Sequence, residues 1–287
     1  MIGRAMSPSS PAPLIVCADD YGIAPGVSAA IRELAQAGRL SATGAMAAMP
    51  HWPEAAVAIR PLAGRIAIGL HFTLTDQHPL GRMPLLAPGG KFPTIAALSR
   101  SAHFGGLPRQ EIAEELVRQL DAFEAHLGRK PDFIDGHQHV HQLPLIRDIV
   151  IDAAAARLPP DGWVRDTWDA PLHLLRRGSV EGAMVATLGR GLHRRARRQR
   201  IAANRGFTGV YPFGKVALGA AMPRLLAGAG AKTMLMVHPG HPDAELAAVD
   251  SWVGPREGEF AYLMSDDFAR LLARRGLRVA QGAPFPG

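Results

Sequence analysis

The sequence predicts an α/β fold with a parallel sheet, arranged as a single-domain (β/α) barrel. The chain has 287 residues, 47% of them hydrophobic, which is enough to fill the core of such a barrel. Short apolar runs alternate with longer amphipathic stretches, the order expected of repeated β/α units. Ionisable residues follow five of these runs, and a parallel barrel gathers the residues at the carboxyl ends of its strands on one face.

The individual strands are predicted from short apolar runs bounded by turn residues. They are expected over residues 14–18, 42–49, 66–70, 133–134, 163–164, 208–210 and 233–237. Helices are expected over residues 25–38, 53–60, 108–127 and 143–156, and a last helix and strand over residues 266–280. The longest helix has the clearest pattern, because Ile112, Leu116 and Leu120 recur every four residues and Gly128 supplies a C-cap.

The domain organisation is predicted to be simple. A flexible tail is expected over residues 1–12, followed by one domain over residues 13–287. Residues 170–206 fit no β/α unit, so we expect this Arg-rich stretch to be an insertion or a lid. The sequence has no apolar run long enough for a transmembrane helix and no recognisable secretory signal. The single cysteine, Cys17, has no partner for an internal disulfide, which favours a reducing, cytoplasmic location.

The charge distribution leaves two interpretations open. The formal net charge is +7, and a dense run of arginines lies within residues 190–200. Such a run is typical of a solvated helix face, but it is also compatible with contact to nucleic acid or to anionic lipid. No zinc-finger or RNA-recognition signature accompanies the run, so we expect no nucleic acid among the partners.

The residues that follow the apolar runs are those that metal-dependent hydrolases use. They are Asp19 and Asp20, His71, Asp135 and His137, Arg165, and His238. The densest group is Asp-Gly-His-Gln-His-Val-His over residues 135–141. In an extended backbone its aspartate and three histidines would point to one side of the chain. Because clustered imidazoles cost desolvation energy unless they bind something, this stretch predicts a metal site.

A site with two histidines and one carboxylate is expected to hold a single divalent ion. Asp20, His71 and His137 are its predicted ligands, with coordination positions left for water and substrate. These donors accept several metals, and we expect magnesium or zinc. Asp135 is expected to hold an imidazole in one tautomer. No organic cofactor site is predicted.

Catalytic roles follow from the same arrangement. Adjacent residues in a strand-to-loop turn face different ways, so Asp19 is predicted to reach the attacking water as general base. His238 is expected to protonate a leaving amine, and Arg165 to orient Asp19 or to stabilise the oxyanion. His139 and His141 are expected to support the ligands or to contact substrate. The set predicts metal-assisted amide hydrolysis.

Four separated motifs resemble those of the YdjC-like carbohydrate deacetylases, the group that includes chitooligosaccharide deacetylases. They are Ala-Asp-Asp-Tyr-Gly-Ile-Ala-Pro-Gly at residues 18–26, Ile-Gly-Leu-His-Phe-Thr-Leu-Thr at 68–75, Arg-Lys-Pro-Asp-Phe-Ile-Asp-Gly-His-Gln-His-Val-His at 129–141 and Met-Val-His-Pro-Gly at 236–240. The resemblance implies a distorted TIM-like (β/α) barrel and hydrolytic removal of an N-acetyl group from a sugar. It also implies the ligand, base and acid roles given above. The third motif reads Asp-Gly-His where the chitooligosaccharide enzymes typically read Asp-Ser-His, and residues 176–205 align with no branch that we recognise.

Three functional hypotheses therefore stand at this point. The first is a metal-dependent deacetylase that acts on an N-acetylated amino sugar or short oligosaccharide and releases acetate. The second is a metal-dependent amidohydrolase or phosphoesterase with a non-sugar substrate. The third is a protein that binds an anionic partner through residues 190–200. Residues 217–226 are compatible with packing on the barrel or on a second subunit, which leaves a homodimer open. Sugar-stacking surfaces are offered by Trp168, Tyr211, Phe213 and Trp252.

Overall fold

A computed structural model describes residues 10–282 of the chain. Its strands are β1 (Ala12–Tyr21), β2 (Ala42–Ala45), β3 (Ala67–Phe72), β4 (Phe133–Gly136), β5 (Trp163–Val164), β6 (Ala202–Ala203), β7 (Phe207–Thr208), β8 (Met234–Val237) and β9 (Leu277–Val279). Its α-helices are α1 (Pro25–Gln36), α2 (Trp52–Ile59), α3 (Ile95–Phe104), α4 (Arg109–Leu127), α5 (Ile146–Arg157), α6 (Pro171–Arg177), α7 (Val180–Gln199), α8 (Leu218–Leu225), α9 (Ala244–Val249), α10 (Gly254–Met264) and α11 (Asp266–Arg274). Within this range no helix is both long enough and apolar enough to cross a membrane.

The strands form one parallel sheet that curls toward a barrel. Its order is β6-β5-β4-β3-β2-β1-β8-β7, with β9 paired to the start of β1. The two ends of this order, β6 and β7, are separated along the chain by residues 204–206 alone. Residues 203 and 207 are four Cα–Cα steps apart and so at most about 14 Å from each other, which requires the sheet to curl until its ends lie close together. The predicted distorted TIM-like α/β barrel is confirmed, and its distortion lies here, because no helix separates β6 from β7.

Side-chain alternation along the strands divides the core in two. Residues such as Leu14 and Val16 face the surrounding helices, whereas Ile15 and Cys17 face the interior of the barrel. The interior cluster contains Ile15, Cys17, Ala42, Ala67, Phe133, Trp163, Phe207, Met234 and Met236. Counting forward in steps of two from members of this cluster gives Asp19, His71, Asp135, Arg165 and His238. The site residues therefore continue the inward-facing rows at the carboxyl ends of the strands.

Most of the predicted elements are present with shifted ends. Helix α4 begins one residue after its predicted start, and Gly128 ends it with a φ of 82°, as expected of a C-cap. Strand β2 stops at Ala45 rather than at residue 49. The Arg-rich residues 170–206 contain α6 and α7, which make the helical connection between β5 and β6. Most of the predicted N-terminal tail lies outside the described residues, and Ala12 already belongs to β1.

Candidate active site

A cavity of about 730 Å³ opens at the carboxyl ends of the strands. Its walls include side chains from β1, from β3, from the turn after β4 and from the residue after β8. These side chains are Asp19, Asp20, His71, His137 and His238. The predicted convergence of ionisable residues on one face of the barrel is thus present in the structure.

Asp19 and Asp20 both reach this cavity because the backbone turns between them. Neighbouring residues of a strand point to opposite faces, so a regular β1 would direct Asp20 toward the helices. Instead, Asp20 has a φ of 68°, in the left-handed region, and the pairing of β1 with β2 shifts register between Ala18 and Tyr21. A left-handed aspartate is uncommon and carries a conformational cost, which is typical of functional sites.

The predicted metal ligands lie together. Asp20 Oδ1 is 2.9 Å from His137 Nδ1 and 3.4 Å from His71 Nε2. One donor atom from each residue lies within 4.8 Å of the others. The second imidazole nitrogen of His71, Nδ1, lies 2.6 Å from Asp135 Oδ1, so the ring is held with Nε2 toward Asp20. This set of two imidazoles and a carboxylate, with one ring already oriented, fits a divalent cation.

Asp19 forms an ion pair with a buried arginine, Arg165. Arg165 follows β5 and places Nη1 2.6 Å from Asp19 Oδ2 and Nη2 2.5 Å from Asp19 Oδ1. The same Nη2 lies 2.6 Å from Asp135 Oδ2. Burial alone would raise the pKa of Asp19, but the Arg165 guanidinium outweighs it and holds that pKa well below its usual range. Asp19, Asp135 and Cys17 also lie close enough to share a cation, and the guanidinium of Arg165 supplies that charge.

The chain after β4 does not follow the predicted path. Residues His137–Gln142 form tight 3₁₀ turns interrupted by a kink, where Gln138 and His139 have positive φ angles of 51° and 60°. The predicted extended backbone over residues 135–141 is therefore wrong, and the histidines do not form one row. His137 faces Asp20, whereas His141 directs Nε2 to the carbonyl oxygen of Arg165 at 3.2 Å.

His139 and His141 are not among the grouped metal donors; His139 is half-buried in the cavity wall, whereas His141 is fully buried. The ring of His139 meets the ring of Phe207 edge-on, with centroids 5.5 Å apart. Burial, reinforced by the nearby charge of Arg165, lowers the pKa of His139 to about 3. Burial also holds the pKa of His141 well below its usual range. Both rings are therefore neutral over the physiological pH range.

Two charged residues of the site were missed by the sequence analysis. Arg256, on α10, places Nη2 2.6 Å from Asp20 Oδ2 and 2.6 Å from Asp250 Oδ2. Burial raises the pKa of Asp20, but the charge of Arg256 outweighs it, so the net shift is well below the usual range. No motif surrounds either residue, and 236 positions separate Arg256 from Asp20. Only the packing of α10 against the open end of the barrel brings them together.

His238 follows β8, the strand that pairs with β1, and it lines the cavity near Asp19. Its N–H donates to Glu259 Oε2, while Glu259 Oε1 accepts a 2.6 Å hydrogen bond from the Tyr211 hydroxyl. Burial raises the pKa of Glu259. The His238 ring leans on Phe213, which in turn contacts Trp252, with ring centroids 5.5 Å apart in both pairs.

Three of the four aromatic residues considered for sugar stacking line the cavity. They are Tyr211, Phe213 and Trp252. The fourth, Trp168, stacks on His193 with ring centroids 4.7 Å apart and is not part of the cavity wall. The cavity therefore has an ion-binding side and an aromatic side.

Sequence relatives match part of the chain. Chitooligosaccharide deacetylase from Enterobacter sp. (strain 638) is 38% identical over 144 residues, and that from Serratia marcescens is 41% identical over 148 residues. Each alignment covers 50% of this chain and 56% of the relative, so the chain spans about half the length of the curated relatives it matches.

Solved structures share the fold at low sequence identity. A protein from Enterococcus faecalis V583, with a suggested role in cellobiose-phosphate cleavage, superposes with a TM-score of 0.72 at 23% identity and covers 94% of this chain and 97% of its own. A peptidoglycan N-acetylglucosamine deacetylase superposes with a TM-score of 0.50 at 11% identity and covers 96% of this chain and 87% of its own. At these identities the superpositions show the fold alone.

The family assignment depends on a longer match. The sequence pattern of the YdjC-like protein family matches residues 13–274. This range includes every strand from β2 to β8 and all eleven α-helices. The four motifs of the sequence analysis fall inside this range, and three of them supply the ion-site residues. The chain belongs to the YdjC-like protein family.

Proposed function

We propose that this protein is a metal-dependent hydrolase that removes the N-acetyl group from an N-acetylated amino sugar or short oligosaccharide. The observation that supports it best is one cavity that holds the Asp20, His71 and His137 donor set, the ion-paired carboxylate of Asp19, and His238. The net reaction adds water across the amide, so the C–N bond breaks and acetate and a free amine are formed.

The proposed cofactor is one divalent ion, magnesium or zinc, held by Asp20, His71 and His137. When bound there, such an ion polarises a carbonyl oxygen and makes a neighbouring water more acidic. Hydrogen bonds within the chain itself orient two of these ligands, His71 and Asp20. Asp135 orients His71, and Arg256 holds the Asp20 oxygen that does not face the histidines.

Asp19 is proposed as the general base. Its lowered pKa keeps it ionised, so it can accept a proton at any physiological pH. The same shift makes it a weak base, which suits a water that has already been made more acidic. Arg165 donates hydrogen bonds to both carboxylate oxygens of Asp19. Each oxygen keeps a free lone pair, and the ion pair fixes the direction from which Asp19 accepts a proton.

His238 is proposed as the general acid for the departing amine. It lines the same cavity as the ion ligands, at the end of the strand next to β1, and its backbone N–H donates to the buried Glu259. A proton delivered to the nitrogen as the C–N bond breaks makes the amine a better leaving group. His139, which lines the cavity, and His141, which is fully buried, are both neutral and are not assigned a proton-transfer role.

A sugar substrate is supported by the aromatic wall. Rings such as Phe213 and Trp252 offer flat apolar faces, onto which the C–H face of a pyranose packs. A cavity of about 730 Å³ has room for more than one sugar ring. The matched relatives are chitooligosaccharide deacetylases, which favours a β-linked N-acetylglucosamine oligomer.

We also propose a reducing, cytoplasmic location, because the single cysteine of the chain, Cys17, is free and buried.

Acetate release from purified protein tests this function. The substrates are N-acetylglucosamine, N,N′-diacetylchitobiose and longer chitooligosaccharides, after chelation and after reconstitution with magnesium or zinc. We expect acetate release that chelation abolishes and one of the ions restores. Asp19→Asn should reduce turnover about 100-fold or more while the ion still binds, whereas His137→Ala should lower the bound metal content.

Matched surface variants provide the controls. Asp121→Asn and His103→Ala change exposed residues of the same types far from the cavity and should leave acetate release unchanged. Full turnover in Asp19→Asn would refute the base assignment. Hydrolysis of model phosphate esters without acetate release from any sugar would refute the deacetylase proposal and favour the phosphoesterase alternative.

A further inference from the structure

One segment, residues 171–200, carries a net charge as large as the formal net charge of the complete chain. This segment contains eight arginines and one acidic residue, a net charge of +7. The complete chain has 32 basic and 25 acidic residues, also +7, so the remaining residues are balanced at 24 of each sign. The segment comprises α6, α7 and their short connection. Its positive charge is therefore a local property of one surface.

Most of this charge is unpaired and faces solvent. Arg177 is buried against Asp169, and Arg195 pairs with Asp148 and Asp152 on α5. The other six arginines are exposed, and none has an ionic partner within residues 10–282; they are Arg176, Arg190, Arg194, Arg197, Arg198 and Arg200. The helix dipole favours cations in the last turn of α7, but Arg190 lies more than two turns before the end. Local helix stability does not account for the whole cluster.

The same segment also exposes large apolar side chains. Thirteen such residues are exposed in the described chain, and four of them fall within residues 172–184. They are Leu172 at 56%, Leu175 at 79%, Val180 at 82% and Met184 at 59% exposure. Single exposed apolar residues need no explanation, but this many in so short a stretch indicates an interaction surface.

We propose that the α6–α7 surface, residues 171–200, binds the surface of an anionic lipid membrane. Exposed arginines beside projecting Leu, Val and Met side chains are typical of segments that lie in the membrane interface. The arginines would contact the negative headgroups, and the apolar side chains would enter the upper acyl region. This inference does not depend on the proposed deacetylase activity.

Two other occupants fit the surface less well. Nucleic acid would match the charge, but it offers no apolar surface for the four exposed Leu, Val and Met side chains, and residues 171–200 contain no Phe, Tyr or Trp for base stacking. A second copy of this chain could cover the apolar residues, but a symmetric contact would bring two segments of charge +7 together. An anionic bilayer offers negative headgroups to the exposed arginines and an apolar interior to the exposed Leu, Val and Met side chains.

The membrane contact would lie beside the catalytic cavity. Val185, the residue after the exposed Met184, is part of the cavity wall, as is Val210. A Cβ on Gly182 in α7 would lie 3.9 Å from Val210 Cβ, so the first turns of α7 border this wall. A protein docked through α6 and α7 would thus hold the rim of its cavity close to the lipid surface.

Vesicle binding by the full-length protein tests the proposal. Sedimentation with phosphatidylcholine vesicles that contain phosphatidylglycerol is compared with pure phosphatidylcholine vesicles, at low and at high salt. We expect binding to the anionic vesicles that weakens at high salt. Replacing Arg194, Arg197 and Arg198 together by Gln should lower the partition coefficient about 100-fold. Leu175→Ser combined with Met184→Ser should lower it about tenfold or more.

Matched variants separate this surface from general charge and hydrophobicity. Arg270, Arg274 and Arg278 replaced together by Gln, and Leu85→Ser, alter exposed residues elsewhere and should bind vesicles nearly as well as the unchanged protein. Circular dichroism spectra and urea denaturation midpoints that match those of the unchanged protein establish that each variant is folded. The proposal is overturned by equal binding to neutral vesicles, by equal losses in both arginine variants, by binding of a DNA oligomer without vesicle binding, or by self-association through Leu175 and Met184 without vesicle binding.

Discussion

Asp20 is the residue on which most of the site depends. Its backbone takes a left-handed conformation, one carboxylate oxygen faces two histidines, and the other is held by Arg256. Each contact constrains the next, because a carboxylate held on one oxygen can present only the other to a cation. Arg256 is thus a positioning residue for the ion site, and it also neutralises a buried charge that would otherwise be costly.

Removal of this arginine should destabilise the fold. Arg256→Met leaves Asp20 Oδ2 without its buried counter-charge and should lower the free energy of unfolding by about 3–5 kcal/mol, measured by urea denaturation. Arg270→Met removes a surface arginine that pairs with Asp266 and Asp267, and it should produce no measurable change. Equal losses in the two variants would show that the Arg256 contact with Asp20 contributes little.

The buried histidines should make stability depend on pH in a defined window. His139 has a folded-state pKa of about 3, against 6.5 for an unperturbed histidine. Below pH 6.5 the unfolded chain binds a proton that the folded protein does not, so stability falls as the pH decreases. Between pH 6.5 and 4.5 the free energy of unfolding should fall by about 1.4 kcal/mol per pH unit more steeply than in a His139→Phe variant. Urea denaturation at several pH values measures both slopes, and identical slopes would contradict the assignment.

At the scale of single elements, β2 contributes to the site without supplying a functional group. Gly44 lies in β2 next to the hydrogen-bonded pair of His71 and Asp135. A Cβ at Gly44 would lie 2.8 Å from His71 Nδ1 and 3.1 Å from Asp135 Oδ1. Both side chains are buried and have little freedom to move, so only glycine leaves room for this contact.

Gly44→Ala should therefore disturb the site through packing. We expect a loss of about 1–3 kcal/mol in the free energy of unfolding, and divalent ion binding weakened about tenfold or more, by calorimetric titration. The matched control is Gly258→Ala in α10, where a Cβ meets nothing within 4 Å. That change should raise the free energy of unfolding by about 0.5–1 kcal/mol. Unaltered ion binding in Gly44→Ala would show that the His71–Asp135 pair tolerates displacement.

At the scale of the whole molecule, a single asparagine ties the two ends of the sheet together. Asn204 lies between β6 and β7 and is buried. Its Oδ1 accepts from the Asp166 N–H at 2.7 Å, and its Nδ2 donates to the Asp166 and Gly206 carbonyl oxygens at 2.8 Å. Strands β6 and β7 are not hydrogen-bonded to each other. The Asn204 hydrogen bonds instead join residues 204–206, which connect the two strands, to Asp166, which follows Arg165.

Asn204→Ala should therefore weaken the closure of the barrel. It leaves buried backbone groups without partners, and we expect the free energy of unfolding to fall by about 2–4 kcal/mol. Gln110→Ala removes an exposed amide that bonds Glu114, and it should change stability by less than about 0.5 kcal/mol. Chemical denaturation followed by circular dichroism measures both. A similar effect in the two variants would mean that the sheet ends are held by other contacts.

The repeated β/α order and the identity of most site residues could be predicted from local sequence patterns. Both have a local cause. Apolar runs and amphipathic helices differ in period, and a polar residue at the end of an inward-facing row stands out against its apolar neighbours. Asp19, His71, Asp135, Arg165 and His238 were all found by this signal. The structure confirms that they meet on one face.

Three features could not be predicted from such patterns and follow from the folded arrangement. They are the local path of residues 137–142, the contact of Asp20 with Arg256, and the place where the barrel departs from its regular repeat. The kink in this segment depends on two left-handed residues, Gln138 and His139, and such angles in non-glycine residues are imposed by surrounding packing rather than by local preference. Arg256 reaches Asp20 from a helix far along the chain, and no periodicity in sequence encodes a contact of that length. Local patterns specify which side chains face inward, whereas the meeting of distant elements specifies what each side chain touches.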